Sequence, residues 1–395
     1  MFSKALDTCF PTLESLEVNN ISLRELNFPP TFLMKSTRSL RQLKIGAKLT
    51  SLAPLLSATT ALTDLTLTID KIASPQLGVS LLLLLQSLPC LRHLDLCVWY
   101  SHIPPIHDIS APHMKMNNII SLAELAHLRF EGNSLVVEVL MAGVAAPSLQ
   151  ELRVSLSHMT HVFQVDGFHI PHLTKFIRNV GMIFLAAQLQ FSYTNCNLSL
   201  LTDSHSIDNP PFSVTGNGIS SIARISSALS ALLATIEDVF FAYGSLPTHT
   251  GFFQRAPWRD FFAQLPNVKI LRVQHGIETE VANMLRQSIG QPTTPDLLPE
   301  SDEEETDIDA TVPSGFPVDS NQFNLGFLPS LEGIEIFMRT PDMPIPDSER
   351  VAALEPFEAL FAARRQAGLA VKVYWNTDQV LPASFYDDAN SWHRW

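Results

Sequence analysis

A nine-residue phrase, repeated with variations, constrains this chain more than any other feature. Its clearest copy is Leu88-Pro89-Cys90-Leu91-Arg92-His93-Leu94-Asp95-Leu96, a Leu-Pro pair and a spacer followed by Leu-x-x-Leu-x-Leu. Leu94 and Leu96 stand two apart, so an extended strand sends them to one face and sends His93, Asp95 and Cys97 to the other. The phrase therefore predicts a short strand with one buried side.

Further copies begin at Phe10, Leu40, Leu62, Leu125, Ala146, Ile236, Leu265 and Leu328. Counted from Leu13, Leu40, Leu62, Leu91, Leu125 and Leu149, the spacings are 27, 22, 29, 34 and 24 residues. These lie in or near the period of leucine-rich repeats, with one long outlier. Apolar stretches with helical spacing separate the phrases: Leu52 to Leu56, Leu77 to Leu85, Leu135 to Ala145, Ile222 to Thr235, Pro257 to Leu265, Glu278 to Ile289 and Glu349 to Gln366. A strand or helix of this kind cannot hide its apolar face alone, so neighbours must stack. The expected fold is α/β: a leucine-rich-repeat solenoid with a curved parallel sheet on the concave side and helices on the convex side.

One solenoid is expected over residues 1–375, with an irregular tail at 376–395. Pro104-Pro105 and Pro112 mark a loop insertion at about 100–118; Pro210-Pro211 and Gly216-Asn217-Gly218 mark another at about 202–218. The acidic run Glu300 to Asp309 lies in an insertion at about 291–325, since like charges repel a segment out of compact structure. Register is weakest over 162–219, where Leu189-Gln190-Phe191 reads as a strand without its anchor leucine.

The charge balance excludes some partners. With 39 acidic and 26 basic residues the formal net charge is −13, which argues against nucleic acid as a ligand. Gln86, Pro89 and Arg92 stop the five leucines at 81–85 short of a membrane span, so no membrane partner is expected. Four cysteines without a C-x-x-C suit a reducing compartment, Cys90 and Cys97 read as buried free thiols, and no apolar leader follows Met1; an intracellular location, cytoplasmic or nuclear, is expected.

No nucleotide-binding, nucleophile-elbow or zinc-protease motif is present, so no catalytic residue, metal or cofactor is expected. His158 with His161, and His169 with His172, sit three apart but have too few ligating neighbours for a metal. Stacking instead brings the outward strand positions side by side. One row should run Glu17, Lys44, Thr66, Asp95, Arg129, Arg153, Phe240, Arg272, Glu335, and a second Ser15, Gln42, Asp64, His93, His127, Glu151, Asp238, Gly333. His93, Asp95, His127, Arg129, Glu151, Arg153 and Arg272 are the expected partner-binding residues, on a surface free of packing duties.

The ordered set resembles the C-terminal region of fungal F-box proteins over about residues 10–375. It comprises Phe10-Pro11-Thr12-Leu13 leading to Val18, the Pro29-Pro30-Thr31-Phe32-Leu33 turn and the Leu81-to-Leu96 unit. The segment from Trp258 to Val273, Leu328-Pro329-Ser330-Leu331 and the helix with Phe357, Phe361 and Arg364 follow in the same order. The resemblance implies a degenerate repeat solenoid that selects the substrate of a ubiquitin ligase. In that family a separate helical F-box, N-terminal to the repeats, docks a Skp-type adaptor; nine residues before Phe10 cannot hold one, so only the recognition half carries over. From the residues alone two further readings stand open: a repeat scaffold unrelated to ubiquitin, and an enzyme with a site in 162–218.

Overall fold

Every copy of the phrase is a strand, because its alternating leucines can be buried only if the backbone is extended. The computed structural model describes residues 12–18, 39–46, 56, 59–70, 75–99, 119–157, 170–191, 195–202, 210–217, 221–243, 258–290, 328–337, 346–366, 368–369 and 371–376. In chain order the first strands are β1 (Ser15–Val18), β2 (Gln42–Gly46), β3 (Asp64–Asp70), β4 (His93–Trp99), β5 (Ile120–Ser121), β6 (His127–Gly132), β7 (Val144–Ala145) and β8 (Glu151–Ser157). Then come β9 (Ala186–Phe191), β10 (Asn195–Leu201), β11 (Phe212–Asn217), β12 (Asp238–Tyr243), β13 (Ile270–Gln274), β14 (Gly333–Phe337) and β15 (Lys372–Asn376). Among the described residues the helices are α1 (Pro75–Leu85), α2 (Ser134–Gly143), α3 (Pro171–Asn179), α4 (Ser221–Ala228), α5 (Ser230–Leu233), α6 (Trp258–Ala263), α7 (Glu278–Gly290), α8 (Asp347–Leu354) and α9 (Glu358–Gln366).

Thirteen strands form one large, mostly parallel sheet in the order β1-β2-β3-β4-β6-β8-β11-β10-β9-β12-β13-β14-β15; β5 and β7 pair apart from it. The phrases fall into register leucine on leucine: Leu43 opposite Leu65, Leu65 opposite Leu94, Leu94 opposite Leu128 and Leu128 opposite Leu152. Those side chains and the apolar faces of the helices make one continuous core. The helices lie in rows, α1 against α2 and α2 against α3, then α4 against α6 and α6 against α7.

Local chemistry sets the turns. β6 ends at Gly132, whose φ of 150° and position 2.8 Å from the Val98 carbonyl, measured to an ideal Cβ, leave no room for a side chain. Asn133 then caps α2, its side-chain oxygen accepting the Leu135 N–H at 2.7 Å. The helix expected over Glu349 to Gln366 is two helices joined by a 3-10 turn at Glu355–Phe357, because Pro356 cannot donate to a continuous helix. Buried Arg364 fastens α9 by donating to the Leu328 and Leu331 carbonyls at 3.0 and 2.9 Å.

Two expectations are corrected here. Residues 202–218 are not all loop, since Phe212–Asn217 is β11; and the sheet is not wholly parallel, since β10 runs antiparallel to both β9 and β11. The reason is the same for both. Asn195 to Leu200 and Phe212 to Gly216 alternate with period two, burying Cys196, Leu198, Leu200, Phe212 and Val214, but they lack the leucine phrase. The chain leaves β8, makes β9, folds back through β10 and reaches β11 beside β8 before crossing to β12. The expected insertions at 100–118 and 291–325 lie outside the described residues, as does the tail beyond Asn376.

A glutamate joins two of the helices. Glu138 on α2 accepts the backbone N–H groups of His172 and Leu173, at 3.0 and 2.8 Å, at the start of α3. Burial pushes its carboxyl up to about 7 against the pull of those two donors. A raised carboxylate supports the fold below its ordinary value of 4.5 and loses that support as pH climbs through about 7. Such a shift is worth about 3 kcal/mol, of which solvent screening of the partly exposed group leaves on the order of 1–2 kcal/mol. Urea denaturation from pH 4.5 to 8 should therefore show a smaller decline in Glu138→Gln than in the native chain.

Candidate functional site

The sheet face opposite the helices is unlike in its two halves. On β9 to β14 it is buried: Gln188 and Phe240 are 4% and 1% exposed, and Ala186, Leu201, Phe240, Ala242 and Phe337 form a second, smaller core. On β1 to β8 it is polar and open, with the side chains of Lys44, His93 and Arg129 all at least 50% exposed.

Register assembles the open half. Asp64, His93, His127 and Glu151 lie directly opposite one another on β3, β4, β6 and β8. The next row is Thr66, Asp95, Arg129 and Arg153, and the next Thr68, Cys97, Glu131 and Ser155. Adjacent strands are about 4.8 Å apart, which is the distance at which like aromatic rings on neighbouring strands stack. The imidazoles of His93 and His127 do so, with centroids 4.5 Å apart and planes 13° from parallel.

Each imidazole is held from its outer side by a carboxylate. His93 Nδ1 lies 2.7 Å from Asp64 Oδ1, and Thr63 Oγ1 donates to Asp64 Oδ2 at 2.6 Å. His127 Nδ1 lies 2.9 Å from Glu151 Oε2, and Arg153 Nε lies 2.5 Å from Glu151 Oε1. The result is a chain of contacts across four strands, from Thr63 through Asp64, His93, His127 and Glu151 to Arg153. The hydrogen bond from His127, with Arg153 beside it, holds the Glu151 carboxyl below its usual range.

The neighbouring rows have a different balance. Burial raises the Asp95 carboxyl, with Arg129 and Lys44 acting against it, and burial raises Glu131 against Arg129. Burial first, then the charges of Glu131 and Asp95, push the Cys97 thiol up to about 12. A thiol of that kind stays protonated and unreactive at neutral pH, although Cys97, like Cys90, is half-buried where the sequence reading had both buried. Together these side chains line an open depression of about 350 Å³ bounded by Asp64, Thr66, His93, Asp95, His127, Arg129, Glu151 and Arg153.

Six of the seven expected site residues therefore meet in one place: His93, Asp95, His127, Arg129, Glu151 and Arg153. Arg272 does not join them. It is 8% exposed, lies 2.8 Å from Glu335 and 3.3 Å from Asp238, and sits 4.9 Å over the Phe240 ring. The expected single row also breaks. Followed through β11, β10 and β9, the row of Ser155 leads to Ser213, Ser199, Gln188, Phe240, Arg272 and Glu335. Those last three thus sit two residues beyond the row of Arg153, because the back-folded strands reset the register. Asp64 belongs to the site although sequence reading left it out of the binding set; its signal was position, one residue before Leu65 and so in the row of His93.

Among the described residues no three His, Cys, Asp or Glu side chains gather as a metal-binding group, and no helix is long and apolar enough to cross a membrane. The arrangement offers a flat imidazole surface with Asp64 and Asp95 on its β3 and β4 side and the Arg129 and Arg153 guanidinium groups, interleaved with Glu131 and Glu151, on its β6 and β8 side. That is a chemistry of recognition, with opposite charges placed a strand or two apart.

No family model matches the chain, and no curated protein matches it. Among solved structures it is similar to the leucine-rich repeat-containing protein LegL7 from Legionella pneumophila, at 11% identity over 89% of this chain and 93% of that one, with a TM-score of 0.32. It is also similar to a protein from Bacteroides fragilis, at 11% identity over 88% of this chain and 69% of that one, with a TM-score of 0.24.

Proposed function

We propose that the chain is a leucine-rich-repeat solenoid acting as a non-catalytic protein-interaction module, with the open face of β3 to β8 as its binding surface. What carries the reading is the contrast between the two halves of that face. Where β9 to β14 bury it, aromatic and aliphatic residues appear; where it is open, the three rows that begin at Asp64, Thr66 and Thr68 on β3 and run across β4, β6 and β8 hold polar residues apart from Cys97. Packed helices need about 8–10 Å each and strands about 4.8 Å, so one helix per strand bends such a stack with the strands inside. The bend would turn the open rows toward a single partner.

Charge reversal tests this directly. Arg129→Glu with Arg153→Glu should lower recovery of a partner by roughly ten-fold or more in affinity purification, because both guanidinium groups are exposed and a reversed charge repels what the native one attracted. The circular dichroism spectrum should stay native. A partner retained in full by the folded double variant would refute the surface.

The resemblance to fungal F-box proteins supports a ubiquitin-ligase substrate as the partner, and a scaffold unrelated to ubiquitin is the competing reading. Co-purification of a Skp-type adaptor with the full-length protein from its own cells separates the two: adaptor present supports the first, and partner without adaptor supports the second.

A further inference from the structure

The two stacked imidazoles are each held by one nitrogen and open at the other. An ionised carboxylate only accepts, so Asp64 beside His93 Nδ1 and Glu151 beside His127 Nδ1 favour a proton on each Nδ1. Neither Nε2 has a hydrogen-bond partner among the described residues, and both side chains are well exposed. Any proton that the pair gains or loses is therefore carried at Nε2, the nitrogen remote from the carboxylates. The rings face each other at 4.5 Å, so a proton on one opposes a proton on the other. An anion set against both Nε2–H groups would lift that opposition, which makes anion binding and uptake of the second proton help each other.

Those two protons also decide the sign of the face. Asp64, Asp95 and Glu151 line the depression together with Arg129 and Arg153, three carboxylates against two guanidinium groups. With both imidazoles neutral the lining is net negative; one proton balances it and a second makes it positive. At the margin, Lys44 on β2 and Glu17 on β1 cancel as a pair 2.7 Å apart, and Glu131 on β6 adds a carboxyl whose ionisation burial opposes. Cys97 stays uncharged. The acceptors here are largely committed, since Asp64 is engaged by His93 and Thr63, and Glu151 by His127 and Arg153. Donors are freer: Arg129 lies 3.8 Å from Glu131, beyond hydrogen-bond reach.

We propose that this face docks an acidic segment of a partner protein under proton control, a partner carboxylate accepting from Nε2 of His93 and of His127 once the pair is protonated, with Arg129 and Arg153 beside it. The proposal rests on the reading of this face as the binding surface, and adds the partner's charge and the condition for its capture. Histidine changes charge between pH 5 and 8, where exposed carboxylates and guanidinium groups keep theirs, so a fall in pH recruits the acidic segment and a rise releases it.

The test is fluorescence anisotropy with a labelled peptide of glutamate and interspersed leucine, about twelve residues long, on the full chain at pH 6 and pH 8 and constant ionic strength. The peptide is fully charged at both, and the native chain should bind it at least about ten-fold more tightly at pH 6. His93→Gln with His127→Gln, which keeps two polar side chains but no titrating ring, should bind it weakly and equally at both. Circular dichroism at each pH checks that every variant is folded. Native binding that is absent, or equal at the two pH values, would overturn the proposal, and so would a pH effect that survives in the glutamine pair, which would place the switch on Asp95, Glu131 or another group. Arg129→Glu with Arg153→Glu separates this from the reading beneath it: peptide binding that keeps its pH effect and full strength in that variant would mean that the open face is not the binding surface at all.

Discussion

Trp258→Ala is expected to lower stability by about 3–5 kcal/mol, the range for emptying a buried indole site that cannot collapse. Trp258 is 1% exposed and opens α6, the helix that packs between α4 and α7. Its ring meets Phe191 edge-on at 5.8 Å and Phe261 at 6.1 Å, with Phe262 tilted at 6.4 Å. Phe191 in turn stacks on Phe241 at 6.3 Å, so the ring sits where the back-folded strands rejoin the regular ones. Urea denaturation should show the midpoint fall, and hydrogen exchange should show the lost protection centred on β9 and β12, because repeats transmit stability mainly to their neighbours. Trp258→Phe should retain most of it. A loss below about 1 kcal/mol in the alanine variant would mean that the cluster is not packed as described.

Arg272→Ala carries the other large effect, about 3–5 kcal/mol, the usual result of removing one partner from a buried ion pair. Its guanidinium lies between Asp238 and Glu335, whose side chains are 19% and 11% exposed. Without it, the two carboxylates would lose the cation that they share. Burial already raises Asp238, and Arg272 is the first influence against that rise. Removing the arginine must raise it further, so the penalty should grow as pH increases and shrink in acid, where the carboxyls take up protons. Replacing all three residues with apolar side chains of matching volume should restore most of the loss, since buried ion pairs are seldom better than well-packed hydrocarbon. Equal destabilisation at pH 4.5 and pH 8 would contradict the assignment.

The two variants fall on elements that could be read beforehand, Trp258 on the helix after Pro257 and Arg272 on a strand of the leucine phrase. β12 and β13 belong to copies of the leucine phrase, and their edges and inward residues follow from it. Arg272 was nevertheless expected at the surface, because strand parity says which face a side chain takes and is silent on whether another layer covers that face. The six residues that do meet beside Asp64 were legible for a simple reason: β3, β4, β6 and β8 carry the phrase in equal register, so equal offsets from a leucine become neighbours.

β10 and β11 were missed for the opposite reason. Their alternation was present, in Cys196, Leu198 and Leu200 and in Phe212 and Val214, but a search led by anchor leucines passes over it.

The residues alone determined where the strands of the leucine phrase form, which face of each strand a side chain takes, and that the units carrying the phrase must stack, because burial period and turn chemistry act between residues close in the chain. Only the tertiary structure decided that one strand runs backwards, that the outward rows shift by two residues at the hairpin, that half of the outer face is covered, and that His93 and His127 stack. These depend on which distant segments pair and at what offset, and that choice is made by the summed packing of the whole sheet, which no short stretch of sequence contains.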